Sequence, residues 1–225
     1  MRFLQITLSS PLQSWGERAK WDSRDTAKLP TKSGIIGLLG CCMGLEREDR
    51  RLSELCSSLH MAVRVKKQGM VMTDFHTVQA PNGQRFPAAG GGLRGETIIT
   101  PRQYLQDAVF DVFLWGEESV LDECNQAMLH PVWSPYLGRK SCVPSVPLLP
   151  VMIDAKDIDT VVRNSCDEND SAYQVEIEML PDDVLRDDER VAIRRDNVVN
   201  ASQNEYTNRK VRSSYIRSKE GTTCI

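Results

Sequence analysis

A chain of 225 residues, 40% of them hydrophobic, can bury one large core or two small ones without disulfide or metal support. Its net charge of −3 argues against non-specific binding of nucleic acid through the overall field, so any surface for a polyanion must be local. No run of 18 apolar residues is present and the first strand follows the N-terminus directly, which predicts a cytoplasmic protein without a signal peptide or membrane segment.

The cysteines and histidines give no sign of a metal site. Seven cysteines include no C-x-x-C pair, and the three histidines lack the spacing of zinc ligands. Cys41 and Cys42 lie in an apolar segment that is predicted to be helical, so buried thiols are expected instead of disulfides. We predict neither a metal nor another cofactor.

The pattern of apolar residues predicts short strands that alternate with helices. In chain order these are a strand at 3–8, helices at 33–44 and 46–59, strands at 60–66, 70–78, 97–105 and 108–115, a helix at 118–129 and a closing strand at 148–153. Lys67-Gln68-Gly69 predicts a hairpin between the strands on either side. The order contains the βαββαβ pattern of a ferredoxin-like fold, so we predict the α+β class.

The first predicted helix carries a stripe of glycines within one third of its circumference: Gly34, Gly37, Gly40 and Gly44. Each interior glycine costs about 0.5–1 kcal/mol of helix stability relative to alanine, so something must approach this face closely. The stripe is explained either by close packing against a sheet or by a polyanion at the helix start.

The residues at the helix start favour an anion. Thr31, Lys32 and Ser33 place two hydroxyls and an ammonium beside unpaired backbone N–H groups, with Ser33 as the predicted N-cap. The pair Lys32-Ser33 resembles the end of a P-loop, but Ala27 and Thr31 stand where that motif needs glycine. A nucleoside triphosphatase is therefore not expected.

Charge is distributed unevenly near the C-terminus. Residues 154–189 contain 13 acidic and 3 basic residues, a local charge of −10, whereas residues 190–219 contain 8 basic and 2 acidic residues, a local charge of +6. The two segments are adjacent and can neutralise each other in part. Arg209, Lys210 and Arg212 are accordingly weaker candidates for a polyanion site than the helix start.

Residues 79–96 form an excursion that is rich in glycine and proline and contains few large apolar side chains. Such a segment is too long for an ordinary connection in a compact domain and is typical of a functional loop.

Four motifs resemble a known family: Gln13-Ser14-Trp15-Gly16, the segment 29–40 (LPTKSGIIGLLG), Phe75-His76-Thr77-Val78, and the segment 135–142 (PYLGRKSC). In this order and spacing they are similar to the CasD family, the RAMP subunit of the type I-E CRISPR surveillance complex Cascade. The similarity covers residues 1–150 and is loose beyond them.

The resemblance implies a fold and a function. It implies a ferredoxin-like palm of the RAMP or RRM-like type at 1–150, an inserted β-hairpin thumb at about 77–100, and a smaller C-terminal β-rich region at 151–225. It also implies a noncatalytic RNA-binding subunit that holds the 5′ handle of CRISPR RNA and caps the backbone filament in antiviral defence. The implied partners are CRISPR RNA, the backbone subunit CasC, the large subunit CasA and, through the complex, target DNA, with no membrane.

The resemblance also implies which residues contact RNA. Lys32 with Thr31, Ser33 and Gly34 is expected to bind one handle phosphate. Arg139, Lys140 and Ser141 follow Gly138 in a predicted turn and are expected to form a second basic cradle next to Tyr136. The remaining candidates are Gln13 and Trp15 beside the first strand, His76 at a strand end, and Arg85 and Arg94 on the thumb.

Two other functions remain open. Some relatives cleave repeat RNA with a tyrosine, a lysine and a histidine and no metal, and this chain has Tyr136, Lys32 and His76. The acidic segment 154–189 is also compatible with a protein-only assembly subunit, because like charge repels phosphate.

Overall fold

The computed structural model describes residues 1–17, 23–88, 90–93, 95–165 and 172–217. The strands are β1 (Arg2–Ser9), β2 (Leu12–Gln13), β3 (Leu59–Lys67), β4 (Met70–Gln79), β5 (Thr97–Gln106), β6 (Val109–Gly116), β7 (Val151–Asp154), β8 (Ala172–Glu178), β9 (Arg190–Asn200) and β10 (Glu205–Arg217). The α-helices are α1 (Lys32–Met43), α2 (Arg51–Ser58), α3 (Glu118–Leu129) and α4 (Ile158–Asn164). None of the described helices is long and apolar enough to cross a membrane.

A seven-stranded sheet in the order β7-β1-β6-β3-β8-β10-β9 forms the body of the molecule. Its described strand pairs are antiparallel, which confirms the predicted mixture of helices with antiparallel sheet. The strands β8, β9 and β10 continue the sheet beyond β3, because β8 pairs with β3 at Ala62 and Ile177. The sheet therefore runs without a break across the position 150 where a boundary is predicted.

Successive side chains of the central strands point to opposite faces of the sheet, and an apolar layer lies on each face. On β1, Leu4, Ile6 and Leu8 point to the layer that contains α1 and α3, whereas Phe3 points to the opposite face. On that opposite face the sheet packs against Val161 and Val162 of α4. The helices that follow β1 and β6 thus cover one face of the sheet, and the C-terminal part of the chain supplies the cover for the other.

The strands β4 and β5 leave this sheet and pair with each other from Met70 and Gln106 to Gln79 and Thr97. We call residues 70–106 the arm; β2 pairs with its base. The predicted hairpin between 60–66 and 70–78 is wrong, since β3 pairs with β6 and β8 instead. At Gly69 an added Cβ would lie 2.7 Å from the Cβ of Ala108, so this glycine permits the close crossing from one sheet to the other.

Several predicted boundaries change. The N-cap of α1 is Thr31, whose side chain accepts a hydrogen bond from the Gly34 N–H at 3.2 Å, so the assignment of Ser33 as N-cap is wrong. Thr31 is extended, with φ −84° and ψ 147°, while Ser33 already lies in the first turn. Helix α3 has its predicted bounds, whereas α2 begins only at Arg51. The expected buried thiols are confirmed at the five cysteines described: Cys41, Cys42, Cys56, Cys124 and Cys142.

Candidate nucleic-acid interface

The start of α1 is filled by carboxylates of the chain itself. The Lys32 backbone N–H donates to Asp196 Oδ2 at 2.7 Å, and the Lys32 ammonium lies 3.0 Å from Glu178 Oε1. The side chain of Lys32 is only 3% exposed. The helix N-terminus does attract an anion, as its chemistry predicts, but that anion is Asp196 of β9. Lys32 and Thr31 are buried, which corrects the prediction that they grip an external phosphate.

Lys32 belongs to a buried ionic cluster that joins α1 to the C-terminal strands. Arg209 donates to both oxygens of Asp196 at 2.7 and 2.9 Å, and one of its nitrogens lies 3.8 Å from Glu178 Oε2. The ring of His60 lies 3.3 Å from Glu178 Oε1. Together Lys32, His60, Glu178, Asp196 and Arg209 form what we call the ionic cluster.

The acidic and basic segments of the C-terminal region do pair with each other, as their charge distribution allows. Besides Arg209, Arg194 donates to Glu176 at 3.1 Å, and Arg212 donates to Asp159 at 2.9 Å and also to Glu189. The guanidinium groups of Arg209 and Arg212 are therefore engaged in ion pairs within the fold.

The stability of the fold should fall in acid through Glu178. Burial alone raises the pKa of Glu178, but the hydrogen bond with His60 and the charges of Lys32 and Arg209 outweigh it, so the pKa is lower than its ordinary value. Such a carboxyl stabilises the fold above its unfolded pKa, about 4.3, and the contribution is lost as the pH falls through the folded pKa. Urea unfolding from pH 7 to pH 3 should show a steeper loss for the wild type than for Glu178→Gln. Equal slopes would contradict this assignment.

The side chains of Gln13 and Trp15 are buried in the core. Gln13 is fully buried, donates to the Ala108 carbonyl at 2.8 Å and accepts from the Trp15 indole at 3.1 Å. A Cβ at Gly34 would lie 2.8 Å from Trp15 Cε3, so the indole explains this glycine of the helix stripe. Neither side chain reaches the surface, which corrects the prediction that they contact RNA.

The other glycines of the stripe have different neighbours. A Cβ at Gly40 would lie 2.5 Å from a methyl group of Leu52, and Gly44 ends the helix with φ +70°. At Gly37 an added Cβ would meet nothing within 4 Å. Close packing therefore explains Gly34 and Gly40, whereas Gly37 leaves helix backbone open to a groove.

The motif at 135–142 forms a tight turn that the chain can make only with glycine. Gly138 has φ +90°, and a Cβ there would lie 1.6 Å from the Ser14 carbonyl oxygen. The Ser14 N–H donates to the Leu137 carbonyl at 3.1 Å, and the Leu137 side chain is buried. The turn is thus pressed against the segment that follows β1, with Lys140 and Ser141 exposed on its outer side.

Arg139 fixes this turn to the arm. Its guanidinium lies 4.5 Å from the Tyr104 ring centroid and donates to the carbonyls of Gln103 at 3.0 Å and Arg24 at 3.2 Å. Some of the N–H groups of Arg139 are consequently occupied by hydrogen bonds within the protein.

Two grooves meet at the turn. The helix groove, about 880 Å³, runs between α1, residues 133–143 and the β9–β10 turn, and the arm groove, about 770 Å³, runs between the arm and residues 136–141. Tyr136, Gly138 and Lys140 line both. The grooves therefore form a continuous path over the turn.

The arm groove brings several predicted residues together. Met72, Asp74 and His76 lie on one face of β4, and Arg102 and Tyr104 stand opposite on β5. Across the groove lie the predicted residues of the turn: Tyr136, Arg139, Lys140 and Ser141. Ser33 and Gly34 line the helix groove, with the exposed Trp133 on its far wall. Arg85 is exposed on the arm, and Arg94 lies outside the described residues.

Arg24 and Arg102 were not identified from the sequence. Arg24 forms an isolated parallel bridge with Arg102, held by hydrogen bonds from Arg24 N–H to Pro101 O at 3.0 Å and from Gln103 N–H to Arg24 O at 2.7 Å. Alternation along β5 would have placed Arg102 on the face of Tyr104, but no local signal places Arg24 beside them.

A family model described as CRISPR-associated protein (Cas_Cas5) matches residues 3–219. The chain belongs to the Cas5 family of CRISPR-associated proteins. The Cas5 assignment confirms the resemblance seen in the four motifs. The CRISPR system Cascade subunit CasD of Escherichia coli strain K12 is 37% identical over 177 residues, which cover 72% of this chain and 76% of that protein.

Solved structures agree with the Cas5 assignment. One chain of a CRISPR RNA-guided surveillance complex matches with a TM-score of 0.75 and 29% identity, over 96% of this chain and 90% of that one. A crystal structure of a Cas protein matches with a TM-score of 0.71 and 28% identity, over 96% of this chain and 95% of that one.

Proposed function

We propose that this chain is a noncatalytic subunit of a type I-E CRISPR RNA-guided surveillance complex and that it binds the 5′ handle of CRISPR RNA along the helix groove and the arm groove. The relatives named above support membership of such a complex. The observation that carries the proposed RNA path is the meeting of the two grooves at Tyr136, Gly138 and Lys140.

The chemistry of the path suits single-stranded RNA. Lys140 is exposed and pairs with no carboxylate among the described residues, and Arg102 and His76 face the same groove. Cations track the phosphates, while Tyr136 and Trp133 offer aromatic faces for unstacked bases. Gly37 lets the ribose-phosphate chain approach bare helix backbone. Ser33, Gly34, Ser141, Arg85 and Arg94 stay in the proposed interface as predicted.

The fold suggests how the subunit assembles. We assign the βαββαβ part of the main sheet, in the order β7-β1-β6-β3, as the ferredoxin-like palm and the arm as the thumb. In this proposal the thumb lies across the guide RNA beside CasC, so that the subunit caps the backbone filament. CasA is the other proposed neighbour, and target DNA is reached only through the assembled complex.

A metal-independent endoribonuclease is the less favoured alternative. It would need the ammonium of Lys32 beside His76 and Tyr136, but that ammonium is buried against Glu178. Incubation of the chain with repeat RNA and a chelator should leave the RNA intact. Cleavage that disappears in His76→Ala would overturn the noncatalytic assignment.

Charge reversal tests the RNA path. Lys140→Glu and Arg102→Glu should each weaken binding of handle RNA about tenfold or more, because a charge-assisted phosphate contact is lost. The slope of log K against log salt should also become shallower by about 0.7 per lost contact. The measurement is a salt titration with full-length protein and fluorescent handle RNA.

Lys156→Glu is the matched control, since this exposed lysine of the β7–α4 connection lines neither groove. Unchanged RNA binding and unchanged assembly in both groove variants would instead favour a protein-only assembly subunit.

A further inference from the structure

One carboxylate lines the otherwise basic arm groove. Asp74 is exposed on β4, on the same face as His76, and lies directly opposite Arg102 on β5. Of the described residues that line this groove, Asp74 is the one acid, beside Arg102, Arg139 and Lys140.

Asp74 is not used by the fold. No hydrogen bond or ion pair joins it to another described residue, although residues opposite each other on antiparallel strands have neighbouring side chains. The Arg102 guanidinium instead donates weakly to Thr100 Oγ1 at 3.4 Å. The carboxylate thus keeps its acceptor oxygens free toward the groove.

A free carboxylate restricts what can bind next to it. It only accepts hydrogen bonds, and it repels phosphate, so the RNA backbone must pass on the side of Lys140. The donors that single-stranded RNA offers are base amino and imino groups and the 2′-hydroxyl. Among the bases, guanine presents N1–H and N2–H side by side, which matches the two oxygens of a carboxylate.

We propose that Asp74 is a specificity-determining residue that accepts hydrogen bonds from the Watson–Crick edge of one unpaired base, with guanine preferred over uracil. The inference rests on the proposed RNA binding and adds a base preference to it. Tyr136, on the opposite wall of the groove, supplies a face on which that base can stack.

Binding of the full-length chain to fluorescent octauridine and to octauridines with one guanosine at each position in turn tests the proposal. At the position that faces Asp74, guanosine should improve binding about tenfold, the discrimination typical of a bidentate contact. Inosine, which lacks the 2-amino group, should recover only part of this gain.

Asp74→Asn should reduce the guanosine preference to less than about twofold. It should bind octauridine as well as the wild type or better, because a negative charge is removed from the groove. Asp187→Asn, which alters an exposed carboxylate outside both grooves, should keep the preference.

Each other outcome has a defined meaning. If the wild type binds all these RNAs equally, RNA binding stands and the base preference is overturned. If Asp74→Asn strengthens binding to every RNA by the same factor, the residue acts through charge alone and the inference is also overturned. If guanosine and uridine bind equally and a 2′-deoxynucleotide weakens binding to the wild type but not to Asp74→Asn, Asp74 contacts the 2′-hydroxyl that every ribonucleotide carries, and the base preference is overturned. If no RNA binds, the proposed RNA binding is overturned, and the base preference is overturned with it.

Discussion

Lys32→Met is expected to lower the free energy of unfolding by about 3 kcal/mol, because the ionic cluster then keeps two buried carboxylates, Glu178 and Asp196, against the one guanidinium of Arg209. Glu178 and Lys32 are both more than nine-tenths buried, with side chains 8% and 3% exposed. Urea unfolding at pH 7, followed by tryptophan fluorescence, measures the change.

Lys140→Met is the matched control, an exposed lysine replaced by the same residue. It should change the free energy of unfolding by less than about 0.5 kcal/mol, since surface substitutions without a specific partner usually do. It should nevertheless weaken RNA binding, whereas folded Lys32→Met should retain the wild-type salt slope. A Lys32→Met protein of normal stability with a shallower slope would restore the phosphate role that the sequence predicts.

Gly138→Ala is the second substitution with a large expected effect. The new methyl group would lie 1.6 Å from the Ser14 carbonyl oxygen, and φ +90° is a strained conformation for alanine. The turn must therefore move, at a cost above the roughly 1–3 kcal/mol of backbone strain alone. Because both grooves are lined by this turn, RNA affinity should fall more than it does for Lys140→Met.

Gly37→Ala is the control for Gly138→Ala, because it makes the same substitution at another glycine of the proposed interface. Its methyl group would meet nothing within 4 Å, so helix propensity alone should stabilise the protein by about 0.5–1 kcal/mol. RNA binding should weaken less than in Gly138→Ala, because a single methyl group covers only part of the backbone that the RNA approaches. Gly37→Glu should block the helix groove by bulk and charge. Equal tolerance of Gly138→Ala and Gly37→Ala in unfolding and RNA binding would contradict the turn geometry.

Local patterns predicted local structure well. The glycine-basic motif at 138–140 does form an exposed turn, and α3 has its predicted bounds from Glu118 to Leu129. Both depend on interactions within a few residues of sequence, such as apolar periodicity and a left-handed glycine.

Long-range pairing is what the sequence could not predict. The hydroxyls and the lysine at the start of α1 correctly indicate a site for an anion, but the carboxylates that fill it, Glu178 and Asp196, lie more than a hundred residues away in the chain. Likewise, Gly69 is predicted to lie in a hairpin turn between β3 and β4, whereas in the structure it lies where the chain passes from the main sheet into the second sheet. In both cases partners distant in sequence decide what a local signal means.

Ultraviolet cross-linking of handle RNA to the coexpressed complex, followed by mass spectrometry of the RNA-bearing peptides, tests most directly whether the guide lies over the two grooves. Cross-links at Trp133, Tyr136 or His76 are the predicted result. Cross-links confined to residues 26–31 and 174–196, around the start of α1, would contradict the account.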